Sequence, residues 1–191
     1  EDPGPGARLR QPLTRPVSPS ATGSIGAGSV ADEMISAMST WLITGCSTGL
    51  GRALASAVLA SGHNAVVTAR DVERVQDLVA AHPDTALALP LDVTDRAQVA
   101  HAVGAAEQRF GAIDVLVNNA GYGFRAAIEE AADGEIERLF ATNVFGAVAT
   151  IKAVLPGMRA RRSGAIVNVS SIGARVAFAG SGYYAASKAA L

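Results

Sequence analysis

The amino-acid sequence predicts an α/β protein built on a doubly wound parallel sheet. From residue 40 onwards, short apolar segments alternate with segments of helical periodicity. The apolar segments contain few polar residues, which is typical of parallel strands covered on both faces. Right-handed crossovers then place helices on both sides of the sheet, and we expect the strand order 3-2-1-4-5.

Five strands and the helices between them can be placed from these patterns. Helices are predicted from the spacing of apolar residues, and their ends from capping residues and glycines. Asp71 and Thr94 are the expected N-caps of the second and third helices. The predicted strands cover residues 40–44, 64–69, 86–93, 113–120 and 164–170. The predicted helices cover 49–62, 71–82, 94–111, a long region 133–162 that we expect to form two helices, and a segment beginning near residue 181.

Residues 1–39 differ in composition from the rest of the chain. They are rich in Pro, Gly and Ser and have no periodic apolar pattern, so we interpret them as a disordered extension. Met38 is a plausible natural start, and Glu1 and Asp2 argue against a targeting peptide. Residues 40–191 are then expected to form one domain.

Composition narrows the classes of partner. The chain has 191 residues and a net charge of −1, which gives no electrostatic reason to expect nucleic acid or a membrane surface as partner. No uninterrupted apolar run approaches the roughly 18 residues that span a bilayer. Cys46 is the only cysteine, which fits a cytoplasmic protein. The three histidines lie outside every motif and have no metal-ligand spacing, so no metal is expected.

The loop between the first strand and the first helix carries three glycines. Gly45, Gly49 and Gly51 have the spacing G-x3-G-x-G, which differs from G-x-G-x-x-G and from a P-loop. Glycines at such a turn allow a tight bend and close approach of a pyrophosphate, and the helix that follows offers free N–H groups. A glycine-rich turn that binds nothing is the alternative. The position of this loop between strand and helix favours dinucleotide binding.

The glycine loop resembles the T-G-x3-G-x-G of the short-chain dehydrogenase/reductase family. The stretches "LDVT" (91–94), "NNAG" (118–121), "NVSS" (168–171) and "YAASK" (184–188) resemble further motifs of that family, in the same order. The resemblance covers residues 40–191 and implies a Rossmann-like fold. It also implies an NAD(P)(H)-dependent oxidoreductase that interconverts an alcohol and a carbonyl. Family members continue past the lysine with further strands, so we expect an incomplete C-terminus here and a homodimer or homotetramer for the full-length protein.

Tyr184 and Lys188 form the predicted proton-transfer pair. Residues i and i+4 share one face of a helix, and an ammonium beside a tyrosine favours its phenolate form. Tyr183 would face Ser187 instead, so we expect it to pack or to line the site.

The resemblance assigns the remaining catalytic roles. Ser171, at the family's distance from the tyrosine, would hold the substrate oxygen in preference to Ser170. Asn143 would hold a water beside Lys188, which would also bond the nicotinamide ribose.

The end of the second strand indicates the cofactor. Ala69 stands where the family's NAD-type aspartate usually lies, and Arg70 follows, which favours NADP(H) although NAD(H) is possible. Asp71 could instead bond a ribose hydroxyl. By resemblance, Asp92 would receive the adenine amino group and Val93 would pack beside the ring. The residues expected to bind the cofactor are Gly45, Ser47, Thr48, Gly49, Leu50, Gly51, Arg70, Asp92, Val93, Asn119, Ala120, Gly121, Tyr184 and Lys188.

The substrate is indicated only loosely. Val176 and Phe178 make the loop after Ser171 apolar, which suggests a lipophilic alcohol or ketone. "TGCS" and "TARD" are similar to the hydroxysteroid and retinol dehydrogenase branch of the family. The competing interpretation is a non-catalytic nucleotide-binding protein, or an inactive truncated protein of the same fold.

Overall fold

A five-stranded parallel sheet forms the centre of the protein. The computed structural model describes residues 38–176 and 178–191, so the predicted disorder of the N-terminal extension lies almost wholly outside the described residues. The strand order is β3-β2-β1-β4-β5, which confirms the predicted topology. The strands are β1 (Thr40–Ile43), β2 (Asn64–Ala69), β3 (Ala86–Pro90), β4 (Val115–Asn118) and β5 (Ala165–Asn168).

The described residues also contain six α-helices and three short segments of other helical type. The α-helices are α1 (Gly49–Ala60), α2 (Gln76–Ala81), α3 (Arg96–Phe110), α4 (Asp133–Phe140), α5 (Ala147–Arg161) and α6 (Gly182–Ala189). A 3₁₀ segment (Val72–Val75) precedes α2, a π-helical segment (Ala141–Gly146) joins α4 to α5, and a second 3₁₀ segment (Ile172–Ala174) precedes α6.

Two apolar layers cover the sheet. Successive strand residues point to opposite faces, so Leu42 and Ile43 enter different layers. Leu42 joins the layer formed with α3 and α5, which includes Val103 and Val154. Ile43 joins the layer formed with α1 and α2, which includes Val58. These layers fix the carboxyl ends of the strands, where the connecting loops meet.

The fifth strand is less covered than expected. Ile166 is 36% exposed and Val167 is 44% exposed, whereas every residue of β2 and β4 is buried. β5 is an edge strand, and no described element packs over it as α3 and α5 pack over β1 and β4. The prediction that all five strands are buried on both faces is therefore wrong for β5.

The N-cap of α3 is Asp95, not Thr94 as predicted. The Asp95 carboxylate accepts hydrogen bonds from the backbone N–H groups of Ala97 (2.8 Å) and Gln98 (3.2 Å). Those bonds, the one from Gln98 first, lower the pKa of the Asp95 carboxyl. The Thr94 hydroxyl donates instead to Asp92 Oδ1 at 2.7 Å. The helix therefore begins one residue later than expected.

Asp71 caps as predicted, with a different kind of helix behind it. Its carboxylate accepts from the backbone N–H of Glu73 at 3.2 Å, at the start of the 3₁₀ segment that precedes α2. This contact uses one Asp71 oxygen in local structure.

The region 133–161 forms two α-helices, as predicted, which a π-helical turn joins into one continuous run. The π-helical turn carries the chain from α4 into α5 without a break, because a π turn accommodates an extra residue within a helix. An 18-residue window of this region has a mean hydropathy of 1.5, so by length and composition it could cross a membrane, although 39% of that window is buried inside the fold. Core helices of water-soluble proteins can have the same length and mean hydropathy. In this protein α5 packs Val154 and Met158 against α3.

Candidate functional site

A groove of about 870 Å³ runs along the carboxyl edge of the sheet. Its volume falls within the roughly 300–1,000 Å³ usual for ligand sites. The predicted cofactor residues that line it are Gly45, Ser47, Thr48, Leu50, Arg70, Asp92, Val93, Asn119, Ala120, Gly121, Tyr184 and Lys188. Gly49 and Gly51 shape the loop behind it. The structure thus brings together residues that the sequence separates by more than 140 positions.

Thr44 and Asn119 tie the glycine loop to the end of β4. The Thr44 hydroxyl accepts hydrogen bonds from the backbone N–H groups of Asn119 (3.0 Å) and Ala120 (2.9 Å). The Asn119 amide donates to the backbone oxygens of Thr44 (2.9 Å) and Gly45 (3.0 Å). Asn119 therefore holds the loop from the side, which leaves the loop backbone facing the groove.

Two glycines of the loop are required for different reasons. A Cβ added to Gly51 would collide with the Asn119 amide and with the Gly45 carbonyl, so this glycine permits close packing. Gly49 has φ +60° and open space around its Cβ position, so backbone conformation alone favours glycine there.

The first turn of α1 presents free backbone N–H groups to the groove. Thr48 precedes the helix with an extended backbone and makes no side-chain cap, and the first turn carries no acidic residue. The unpaired donors and the positive end of the helix dipole both favour a negatively charged group such as a diphosphate.

The end of the groove beside β2 is cationic. Arg70 follows the buried Ala69 at the end of β2, is exposed, and lines the groove. Asp71 does not line the groove, and its carboxylate caps the 3₁₀ segment. The structure therefore gives no support to Asp71 as the ribose partner.

Asp92 and Val93 line the same groove. Asp92 Oδ1 accepts from the Thr94 N–H (2.9 Å) and hydroxyl (2.7 Å), which leaves Oδ2 as the acceptor available to a ligand. Val93 is buried against the π-helical segment, since a Cβ on Gly146 would overlap its side chain.

Lys188 and Asn143 meet beside Gly121. A Cβ built on Gly121 would lie 3.0 Å from Asn143 Oδ1 and 3.3 Å from Lys188 Nζ. Lys188 Nζ donates to the Val169 carbonyl at 2.9 Å, and its residue is only 7% exposed. This burial lowers the pKa of the Lys188 ammonium.

Asn143 is held on all sides by protein groups. Its Oδ1 accepts from the Tyr122 N–H at 3.0 Å, and its Nδ2 donates to the Tyr122 carbonyl (3.0 Å) and to Ser187 Oγ (3.1 Å). These contacts link the loop after β4, the π-helical segment and α6.

A second cleft of about 530 Å³ adjoins the first, and Tyr184 lines both. Ser171 lies in the second cleft, and a Cβ on Gly173 would lie 3.5 Å from both Ser171 Oγ and Tyr184 Cε1. Ser170 lines the first groove instead and donates to the Lys188 carbonyl at 2.8 Å. The two serines therefore face different spaces, and only Ser171 shares the second cleft with Tyr184.

Tyr183 and Cys46 lie outside both clefts. The Tyr183 hydroxyl donates to the Ile128 carbonyl at 3.2 Å, so this tyrosine pins a loop rather than lining the site. Cys46 is fully buried, and burial raises the pKa of its thiol to about 12. A thiol in that state is a poor nucleophile.

The family described as short chain dehydrogenase matches residues 39–191. The chain belongs to this family.

Similar proteins are found both among curated proteins and among solved structures. A short-chain dehydrogenase from Streptomyces avermitilis is 46% identical, with a TM-score of 0.79 over 81% of this chain and 57% of that one. A gluconate 5-dehydrogenase from Burkholderia cenocepacia, solved in complex with NADP and tartrate, is 34% identical, with a TM-score of 0.74 over 80% of this chain and 61% of that one. Human retinol dehydrogenase 8 is 39% identical over 165 residues, 83% of this chain and 52% of the relative. The chain spans about half the length of the curated relatives it matches.

Several residues that line the groove were not predicted from the sequence. Tyr122, Arg138 and Thr142 line the groove although no motif points to them. Arg74 also lines it, four residues after Arg70. The spacing of Arg74 from Arg70 is not a helical one, because Arg70 precedes the 3₁₀ segment that carries Arg74, and the position of Arg138 depends on where α4 packs.

Proposed function

We propose that this short-chain dehydrogenase interconverts an alcohol and a carbonyl compound with NADP(H), using Tyr184 as acid and base. The observation that carries the proposal is that Tyr184 lines two clefts at once. One cleft contains Lys188, the glycine loop and Arg70, and the other contains Ser171. A proton donor at such a junction can reach a substrate oxygen beside a bound nicotinamide.

The residues of the first groove suit a dinucleotide. The free N–H groups of α1 would bind the diphosphate, and Arg70 would pair with the phosphate on the adenosine ribose. Asp92 Oδ2 is free to accept a bond from adenine. The nicotinamide supplies or accepts the hydride when bound. NADP in the related gluconate 5-dehydrogenase supports the same class of cofactor here.

The remaining steps belong to the side chains. Ser171 would donate to the carbonyl oxygen and orient it, and the Tyr184 hydroxyl would give that oxygen a proton during reduction and remove it during oxidation. Lys188 would hold positive charge nearby and stabilise the phenolate that remains. Asn143, whose donors are both used by protein groups, would position Lys188 and α6.

The second cleft favours a substrate with a lipophilic part. Phe124, Ile172 and Phe178 line it, and the related human protein is a retinol dehydrogenase. Arg125 also lines it, so a substrate panel should contain both neutral and carboxylate-bearing ketones and aldehydes.

Location and assembly remain predictions. We propose a cytoplasmic protein, supported by one buried thiol, and a homodimer or homotetramer for the full-length protein. Phe145 is 62% exposed and Val148 is 39% exposed on the α4–α5 helical run, which offers an apolar face for such assembly.

The function is tested by comparing the two adjacent tyrosines in the 191-residue chain. Cofactor binding is measured by NADPH fluorescence and turnover by NADPH consumption over the substrate panel. Tyr184→Phe should reduce turnover by about 10²–10⁴-fold with little change in NADPH affinity, whereas Tyr183→Phe should retain it. Equal losses in both variants would contradict the assignment.

Binding without chemistry would favour the competing function. If the chain binds NADPH but reduces no member of the panel, a nucleotide-binding role is supported for it. If it binds neither NADPH nor NADH, both functions fail for this chain. Arg70→Asp should shift affinity from NADPH towards NADH, because a carboxylate repels the phosphate and accepts from a ribose hydroxyl.

A further inference from the structure

A second arginine stands beside Arg70 at the ribose end of the groove. Arg74 is exposed, lines the same groove, and belongs to the 3₁₀ segment that follows β2. Among the described residues, neither Arg70 nor Arg74 has a carboxylate oxygen within 4.0 Å. Both arginines therefore line one groove without a carboxylate partner among the described residues.

The backbone of Arg74 is tied to the glycine-loop helix. Arg52, in the first turn of α1, donates from Nη1 to the Arg74 carbonyl at 2.8 Å. The other terminal nitrogen of Arg52 is paired with the Asp77 carboxylate. The charge of Arg52 is thus taken up within the protein, and its contact with Arg74 holds the 3₁₀ segment against the loop that would bind the diphosphate.

We propose that Arg74 is a second residue for the 2′-phosphate of NADP, positioned by Arg52 and Asp77. This inference rests on the proposed function, since it concerns the same groove. A phosphate dianion offers three oxygens, and two guanidinium groups on adjoining segments can bond it from different directions. The Asp71 carboxylate caps the 3₁₀ segment by accepting from the Glu73 N–H, and it forms no ion pair with Arg70 or Arg74.

The adenosine half of the cofactor tests the proposal without any catalysis. Calorimetry on the 191-residue chain would compare 2′,5′-ADP with 5′-ADP, which lacks the 2′-phosphate. The wild type should bind 2′,5′-ADP more tightly. Arg74→Ala should reduce this preference by about three- to tenfold, because an exposed charge-assisted bond is lost, while the affinity for 5′-ADP stays the same. Arg74→Lys should recover part of the preference, and Arg159→Ala, on the far end of α5, should not change it.

The outcomes separate the inference from the proposed function. If the wild type binds neither probe, the dinucleotide site itself is wrong. If Arg70→Ala removes the preference and Arg74→Ala leaves it intact, the proposed function survives and the role of Arg74 is overturned. If Arg74→Ala weakens both probes equally, its effect is structural, which also overturns the proposal.

A double-mutant cycle tests the positioning role of Arg52. Arg52→Met should reduce the preference for 2′,5′-ADP in the wild type and have no further effect in the Arg74→Ala background, because it acts through Arg74. An equal reduction in both backgrounds would show that Arg52 contacts the phosphate itself and would overturn the positioning role.

Discussion

Replacing Asn143 with alanine should destabilise the fold and loosen the site together. The Asn143 side chain is 1% exposed and makes three hydrogen bonds, two with the Tyr122 backbone and one with Ser187 Oγ. Each such bond contributes about 1 kcal/mol net, and an abandoned buried partner adds to the loss. Asn143→Ala should therefore reduce the free energy of unfolding by roughly 3 kcal/mol.

Urea unfolding followed by circular dichroism measures this change. The midpoint should fall with the slope unchanged, which identifies a loss of stability rather than of compactness. Lys152→Ala, an exposed change on the same helical run, is the matched control and should stay within about 0.5 kcal/mol of the wild type. A loss below about 1 kcal/mol for Asn143→Ala would refute the reasoning, because it would mean that the three hydrogen bonds do not stabilise the contact between the π-helical segment, the loop after β4 and α6.

Three further predictions concern other residues. Gly51→Ala should lower the free energy of unfolding by about 1–3 kcal/mol and weaken cofactor binding, because the added Cβ would collide with Asn119. Gly104→Ala, which has open space around it in α3, should raise the free energy of unfolding by about 0.5–1 kcal/mol, and equal melting temperatures for the two variants would contradict this. The pKa of the Cys46 thiol is about 12 in the folded protein and 9.0 in the unfolded chain, so the free energy of unfolding should fall from pH 9 upwards, by about 1.4 kcal/mol at pH 10. Urea titrations of Cys46→Ala should no longer show this pH dependence. The pKa of Lys188 is lower in the folded protein than the 10.5 of the unfolded chain, so between these two values the unfolded chain binds more protons than the folded protein. Lys188 should therefore make the free energy of unfolding rise with pH in that window, and Lys188→Met should abolish the rise.

Local sequence spacing predicted the parts of the site that lie within one turn or one helix. The positive φ of Gly49 is a local backbone need, and Tyr184 and Lys188 share a helix face through the i,i+4 rule, whereas Gly51 is required by its tertiary contact with Asn119. The meeting of Ser171 with Tyr184 is not local, and only the family resemblance suggested it. The strand order likewise followed from general rules of α/β topology.

Features that depend on tertiary contacts were not predictable in this way. The sequence of residues 133–162 has ordinary helical periodicity, and the π-helical turn within it places Asn143 against the loop after β4 and against α6. Arg74 reaches the groove because the chain after β2 forms a 3₁₀ turn that Arg52 holds in place. In both cases the altered helical segment makes contacts with residues that are distant in the sequence.

The helix that carries Tyr184 and Lys188 is held in position by contacts of the site residues themselves. α6 has eight residues, and an isolated helix of that length is marginal in water. It is held by Ser170 Oγ on the Lys188 carbonyl, by Lys188 Nζ on the Val169 carbonyl, and by Asn143 on Ser187. Because these contacts also place Lys188 and Tyr184, any ligand that bridges the groove to Lys188 must stabilise α6 by mass action. The order of this helix and the affinity for cofactor are therefore coupled, and a cofactor that binds without protecting the amide protons of α6 from exchange would not be contacting Lys188.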